Sequence, residues 1–155
     1  MLGISIKPLR EAFRHLFLEN SFDAFYISEV RLLNEFSAVI DGKKTENAAE
    51  GYVRWERLRP LLYPFIKGEK APERIHLVFL LPEEKTAELL SRASLPYDIE
   101  SPPQLFINLR YQPGSLLLTT GVSDKDFRTG GDLYRLWDKS VLQFINRLGL
   151  SEETS

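Results

Sequence analysis

Between Gln104 and Val122, apolar and polar residues take turns along two runs, separated by Gln112-Pro113-Gly114-Ser115. Alternation of period two predicts an antiparallel hairpin covered on one side. Leu105, Ile107, Leu109 and Tyr111 are expected on one face, and Phe106, Asn108 and Arg110 on the other. Pro-Gly at the centre of the tetrad suits a type II turn, whose third residue needs positive φ. The pattern then changes period. Leu133, Leu136, Trp137, Val141, Phe144, Ile145 and Leu148 form a helical stripe, predicting a helix from an Asp132 cap to about Leu148 with Gly149 just beyond.

The remaining elements are read in the same way. Leu2 to Lys7 is a short strand, and Pro8 opens a helix with Leu9, Ala12, Phe13, Leu16 and Phe17 toward the core, ending at Asn20-Ser21. His15 falls outside that stripe and is expected in solvent. Phe22 to Leu33 and Phe36 to Ile40 are predicted strands, closed by the turn pair Asp41-Gly42. A polar loop, Lys43 to Glu50, leads to a helix near Tyr52 with Tyr52, Trp55 and Leu58 on one face. Pro60 is expected to kink or restart that helix, which continues to about Ile66. Arg74 to Leu81 is an apolar strand, Pro82 starts a further helix, and Ser94 to Pro103 is a proline-rich loop.

The result is an α+β domain with a largely antiparallel sheet of about six strands and four or five helices. The order admits two pseudo-symmetric βαββα halves. Tyr52-Val53-Arg54-Trp55-Glu56-Arg57 and Tyr134-Arg135-Leu136-Trp137-Asp138-Lys139 both place Tyr, Trp, an acid and a base at one spacing, and hold the two tryptophans. Chance similarity between amphipathic helices is the competing reading. Both tryptophans are expected to be buried.

Composition changes this picture little. The 155 residues suit one domain, taken as 1–150 with a polar, disordered tail at 151–155. A formal net charge of −2 singles out no partner. Zero cysteines exclude disulfides, thiolate nucleophiles and cysteine-ligated metal. With no apolar run of spanning length and no leader-like N-terminus, the expected setting is the cytoplasm, away from membranes.

Chemistry is sparse. His15 and His76 stand alone, Asp124-Lys125-Asp126 is too short of ligands for calcium, and no phosphate-loop, nucleophile-elbow or dinucleotide pattern occurs. No cofactor, metal or catalytic residue is expected. Two segments remain. Residues 52–74 carry six bases against three acids. Arg54, Arg57, Arg59, Lys67 and Lys70, interleaved with Trp55, Tyr63 and Phe65, could follow a phosphate backbone. The competing reading is a solvated helix face over a buried aromatic one, with Pro60 splitting the patch. The loop 121–132 runs into a helix start, where Gly130 and Gly131 could hold an anion, although glycines also serve as ordinary loop residues.

Trp55-Glu56-Arg57-Leu58-Arg59-Pro60, Phe65-Ile66-Lys67-Gly68-Glu69-Lys70-Ala71-Pro72 and Asn108-Leu109-Arg110-Tyr111 together resemble an uncharacterised family of small single-domain bacterial proteins. That resemblance implies one domain and brings no activity or site residue. The leading expectation is a non-catalytic binding or adaptor domain acting through a protein partner. A nucleic-acid-associated domain using 52–74 is the alternative, and a small-molecule enzyme using 121–132 the second.

Overall fold

The computed structural model describes residues 2–43, 51–67, 72–97, 99–124 and 130–153. In chain order the elements are β1 (Gly3–Lys7), α1 (Leu9–Phe13) running into a π-helical turn (Arg14–Leu18), β2 (Tyr26–Leu33), β3 (Ser37–Asp41) and β4 (Val53–Arg54). Then follow α2 (Trp55–Ile66), β5 (Arg74–Leu80), α3 (Glu83–Arg92), β6 (Gln104–Gln112), β7 (Ser115–Ser123), α4 (Gly130–Arg147) and β8 (Ser151–Glu153). The fold is α+β, and all strand pairings are antiparallel in the order β3-β2-β5-β6-β7-β1-β8, with β4 added beside β2. The sheet stays open.

Alternation decides the two faces. Ile4, Leu118, Leu109, Leu77, Val30 and Ile40 stand opposite one another from β1 through to β3. With the exception of half-buried Ile40 all are buried, and they form the floor of the core. Onto this floor pack Trp55 of α2, against Phe79 and Phe17 with ring centroids 5.3 and 5.7 Å away, and Leu133, Trp137, Val141 and Ile145 of α4. The hairpin alternation is as expected, with Leu105, Ile107 and Leu109 buried and Arg110 exposed. Gly114 at its turn has φ +81, the value the third position of a type II turn requires.

Several boundaries differ from the sequence reading. Phe22–Phe25 is a turn, closed by Asp23 N–H to Asn20 O (3.1 Å) and Phe25 N–H to Phe22 O (3.1 Å). Both phenylalanines nevertheless enter the core, so an apolar run without strand period still marks burial. His15 is buried, against expectation, at 8% exposure. The π-helical turn widens the helix by one residue per hydrogen-bonded ring, rotating the following side chains off the α-helical stripe. Nδ1 of His15 then lies 2.7 Å from Ser21 Oγ and 3.1 Å from Glu19.

Tyr52 lies before α2, in a bridge with Lys43. Trp55 is the first residue of α2, and the helix runs on through Pro60 and Pro64 without a restart. Trp137, by contrast, sits in the middle of α4. The two Tyr-x-x-Trp segments therefore occupy unlike positions. Strand order separates the halves further: β5 lies next to β6, whereas β1 lies at the opposite end of the sheet from β2 and β3. Ser151–Glu153, taken from sequence as tail, pairs with Ser5–Lys7 of β1. Backbone pairing along an edge needs no apolar side chain, so a polar segment can join.

Gly42 closes β3 where the chain crosses a bulge in β2 between Ile27 and Glu29. A Cβ there would lie 1.7 Å from the Ile27 carbonyl oxygen. Its N–H donates to Ser28 O and its carbonyl accepts from Val53 N–H, both at 2.8 Å, which links β2, β3 and β4.

Candidate interaction face

Because the helices pack on one side of the sheet, the other side carries no layer over it among the described residues. One residue away from the apolar floor runs a second row of opposed positions: Val39, Arg31, His76, Arg110, Leu117 and Ser5. Neighbouring strands are about 4.8 Å apart, so Val39 and Leu117 stand roughly 19 Å from each other with the three basic residues between them. Val39 is 62% exposed and Leu117 39%. From Val39 to Leu117 the row is apolar at both ends, with Arg31 and Arg110 flanking His76 between them.

Arg31 and Arg110 stand on either side of His76, two strands and about 10 Å apart, and carboxylates on this face are few. On β3, β2, β5, β6 and β7 its cations are Arg31, Arg74 and Arg110 with His76, against the carboxylates of Glu29 and Asp41. Glu29 engages Arg31 along its own strand at 3.0 Å. Arg110 has no carboxylate partner among the described residues. His76 Nε2 approaches Asn108 Oδ1 at 3.4 Å. Partial burial makes His76 harder to protonate than a free histidine; Asn108 works the other way, Arg110 and Arg31 reinforce the lowering, and Glu29 opposes it. The imidazole is therefore neutral at neutral pH.

The basic residues singled out from sequence are dispersed. Arg59, only 18% exposed, forms a two-pronged ion pair with Asp23 (2.9 and 2.8 Å) and also donates to Phe17 O. Those bonds hold its guanidinium more firmly protonated than usual and tie α2 to the turn before β2. Arg54 lies over the Tyr26 ring, 5.1 Å from its centroid, and reaches Ala24 O and Glu84. Arg57 is exposed on α2. Lys67 lies 5.9 Å from the Tyr63 ring centroid, and Lys70 is outside the described residues. Arg59 and Arg54 are thus occupied by fold contacts. Of the aromatic partners, Trp55 is fully buried, with its indole N–H donated to Leu16 O at 2.7 Å, Tyr63 is half-buried and Phe65 is exposed.

In the glycine loop, residues 125–129 lie outside the described residues, and Gly130 and Gly131 open α4. Asp132 is inside the first turn, paired with Arg135. An incoming anion would meet that carboxylate. Among the described residues no group of three acidic or histidine side chains could hold a metal ion, and no helix is long and apolar enough to cross a membrane.

A further concavity, of ≈ 940 Å³, separates α3 from α4 above a floor of Phe25, Ile107, Trp137 and Val141. Of its rim charges, Glu84 pairs with Arg54 at 3.2 Å and Glu88 with Lys85 at 3.9 Å, and Arg92 and Arg147 also line it. On the open row, Arg110 is the charge left without a carboxylate partner among the described residues. Sequence inspection missed it because Arg31, His76 and Arg110 lie 45 and 34 positions apart, and only strand register brings them together. The alternation of β6 was the one available signal, since it put Arg110 on the uncovered side.

Comparison with curated proteins and with solved structures returned no match. A family model does match, over residues 15–153, which takes in nearly every element described above, and so the chain belongs to DUF5721, a family of unknown function.

Proposed function

We propose that this chain is a non-catalytic cytoplasmic binding module that holds a protein partner on its open sheet face, and that the partner presents an acidic segment. The observation supporting this reading is the register of Arg31, His76 and Arg110, three basic side chains in direct opposition with Val39 and Leu117 beyond them. Arg110 has no carboxylate partner among the described residues, and a ligand carboxylate would supply one. The exposed aliphatic ends favour an amphipathic peptide over nucleic acid. Single-strand binders set stacking aromatics along the cationic track, whereas here the half-buried rings of Tyr26 and Phe106 lie toward the other end of the strands.

The test compares a labelled peptide alternating Glu with Leu against an oligothymidylate of similar charge, by fluorescence anisotropy at low salt. The peptide is expected to bind the more tightly, and the charge reversals Arg31→Glu and Arg110→Glu together to weaken it by at least about tenfold. Preferential binding of the oligothymidylate with a steep salt dependence would replace this reading with the nucleic-acid one.

A further inference from the structure

We infer that the cleft between α3 and α4 binds a single-chain amphiphile, an alkyl chain carrying an anionic head such as a carboxylate or a phosphate monoester. The cleft lies on the helix side of the sheet, so the inference is independent of the open face. Two adjoining concavities make it up. The first, of ≈ 940 Å³, is walled by Leu81, Leu89 and Phe144, all half-buried, above the apolar floor. The second, of ≈ 730 Å³, is polar and takes in Gln143 and Asn146 with three cations, Arg92, Lys139 and Arg147. Arg92 and Arg147 line both concavities, as do Leu89 and Ser140, so these residues form the border between them.

Charge at the second concavity is one-sided. No carboxylate among the described residues lines it. Arg92, Lys139 and Arg147 have no ion-pair or side-chain hydrogen-bond partner among the described residues. The carboxylates of the first concavity, Glu84 and Glu88, are paired with Arg54 and Lys85. Arg92 and Arg147 are the last residues of α3 and α4, where a cation suits the helix dipole. That placement leaves both guanidinium forks open to the paired oxygens of a carboxylate or phosphate.

The floor selects a slender occupant. Phe25, Ile107, Trp137 and Val141 are each no more than 8% exposed, so the opening above them is narrow at its base. A helix with its side chains is about 10–12 Å across and would rest on the rim without reaching the floor. An alkyl chain can lie against it, and each methylene it buries strengthens binding. Mostly apolar walls with a few placed polar groups are the usual form of a small-molecule site. A tail in the first concavity puts the head at the border, between Arg92 and Arg147, with Lys139 beyond. A neutral amphiphile would leave those cations unpartnered, and a bare anion would leave the floor uncovered.

Isothermal titration calorimetry tests this by comparing dodecyl phosphate and dodecanoate with dodecyl maltoside and inorganic phosphate, all below micelle-forming concentrations. Both alkyl anions are expected to bind at least about tenfold more tightly than the neutral maltoside or the bare phosphate. The tighter of the two identifies the head. Arg92→Glu and Arg147→Glu together should weaken both anions by at least about tenfold, whereas Arg57→Glu, on the exposed face of α2, should not. Ala87→Phe, which fills the first concavity from α3, should weaken them as well. Circular dichroism checks that this half-buried site tolerates the larger ring; if it does not, the exposed double reversal decides alone. No binding of either anion, equal binding of the maltoside or of inorganic phosphate, or affinities indifferent to the double reversal would overturn the inference.

Discussion

Leu117 and Leu118 are adjacent on β7, yet one is 39% exposed and the other fully buried. The same contrast holds across the sheet: Ile40, Val30, Leu77, Leu109, Leu118 and Ile4 line the covered side, while Val39, Arg31, His76, Arg110, Leu117 and Ser5 line the bare one. One set of backbone hydrogen bonds supports both rows. The covered row holds the fold together by excluding water, whereas the bare row contributes little burial and sets two arginines on either side of a neutral histidine.

The largest effect expected on the covered side is at Trp55. Replacement by alanine removes its contacts with Phe17 and Phe79 and the hydrogen bond to Leu16 O. Urea unfolding should show a loss of about 3–5 kcal/mol. A loss below about 1 kcal/mol would mean that the helical layer is not what stabilises the sheet.

The sharper comparison uses one amino acid at two neighbouring positions. Leu118→Ala should cost about 2–5 kcal/mol through lost burial and the cavity left behind. Leu117→Ala should cost about 1 kcal/mol or less, because much of that side chain is already in water. Equal losses in paired urea titrations would show that the open face is covered in solution.

The smallest effect is a pH dependence set by His76. Its protonation is disfavoured in the fold, so the unfolded chain takes up the proton first as pH falls through the ordinary histidine value of 6.5. Stability at this site is therefore complete above that pH, and declines below it until the folded-state imidazole is also protonated. His76→Gln should flatten this part of a pH–stability curve. Binding should run the opposite way: an acidic ligand stabilises the imidazolium, so its affinity should rise on acidification in wild type and not in the variant.

The sequence by itself determined the elements whose signals are local. The β6–β7 hairpin follows from two alternating runs around Pro113-Gly114, and α4 from a stripe of period 3.6. The burial of Trp55 and Trp137, at 0% and 3% exposure, follows from large apolar groups with no other means of leaving water. Tertiary structure alone decided what depends on residues far apart in the chain. The π-helical turn that buries His15, the carbonyl crowding that leaves no room for a Cβ at Gly42, and the place of β1 beside β7 have no local signature. The same is true of the bare row. Alternation assigns each residue to a face but leaves its neighbours across the sheet open. Strand order and register put Arg31 beside His76 and His76 beside Arg110, because those are set by the packing of the whole apolar side and not by the residues they align.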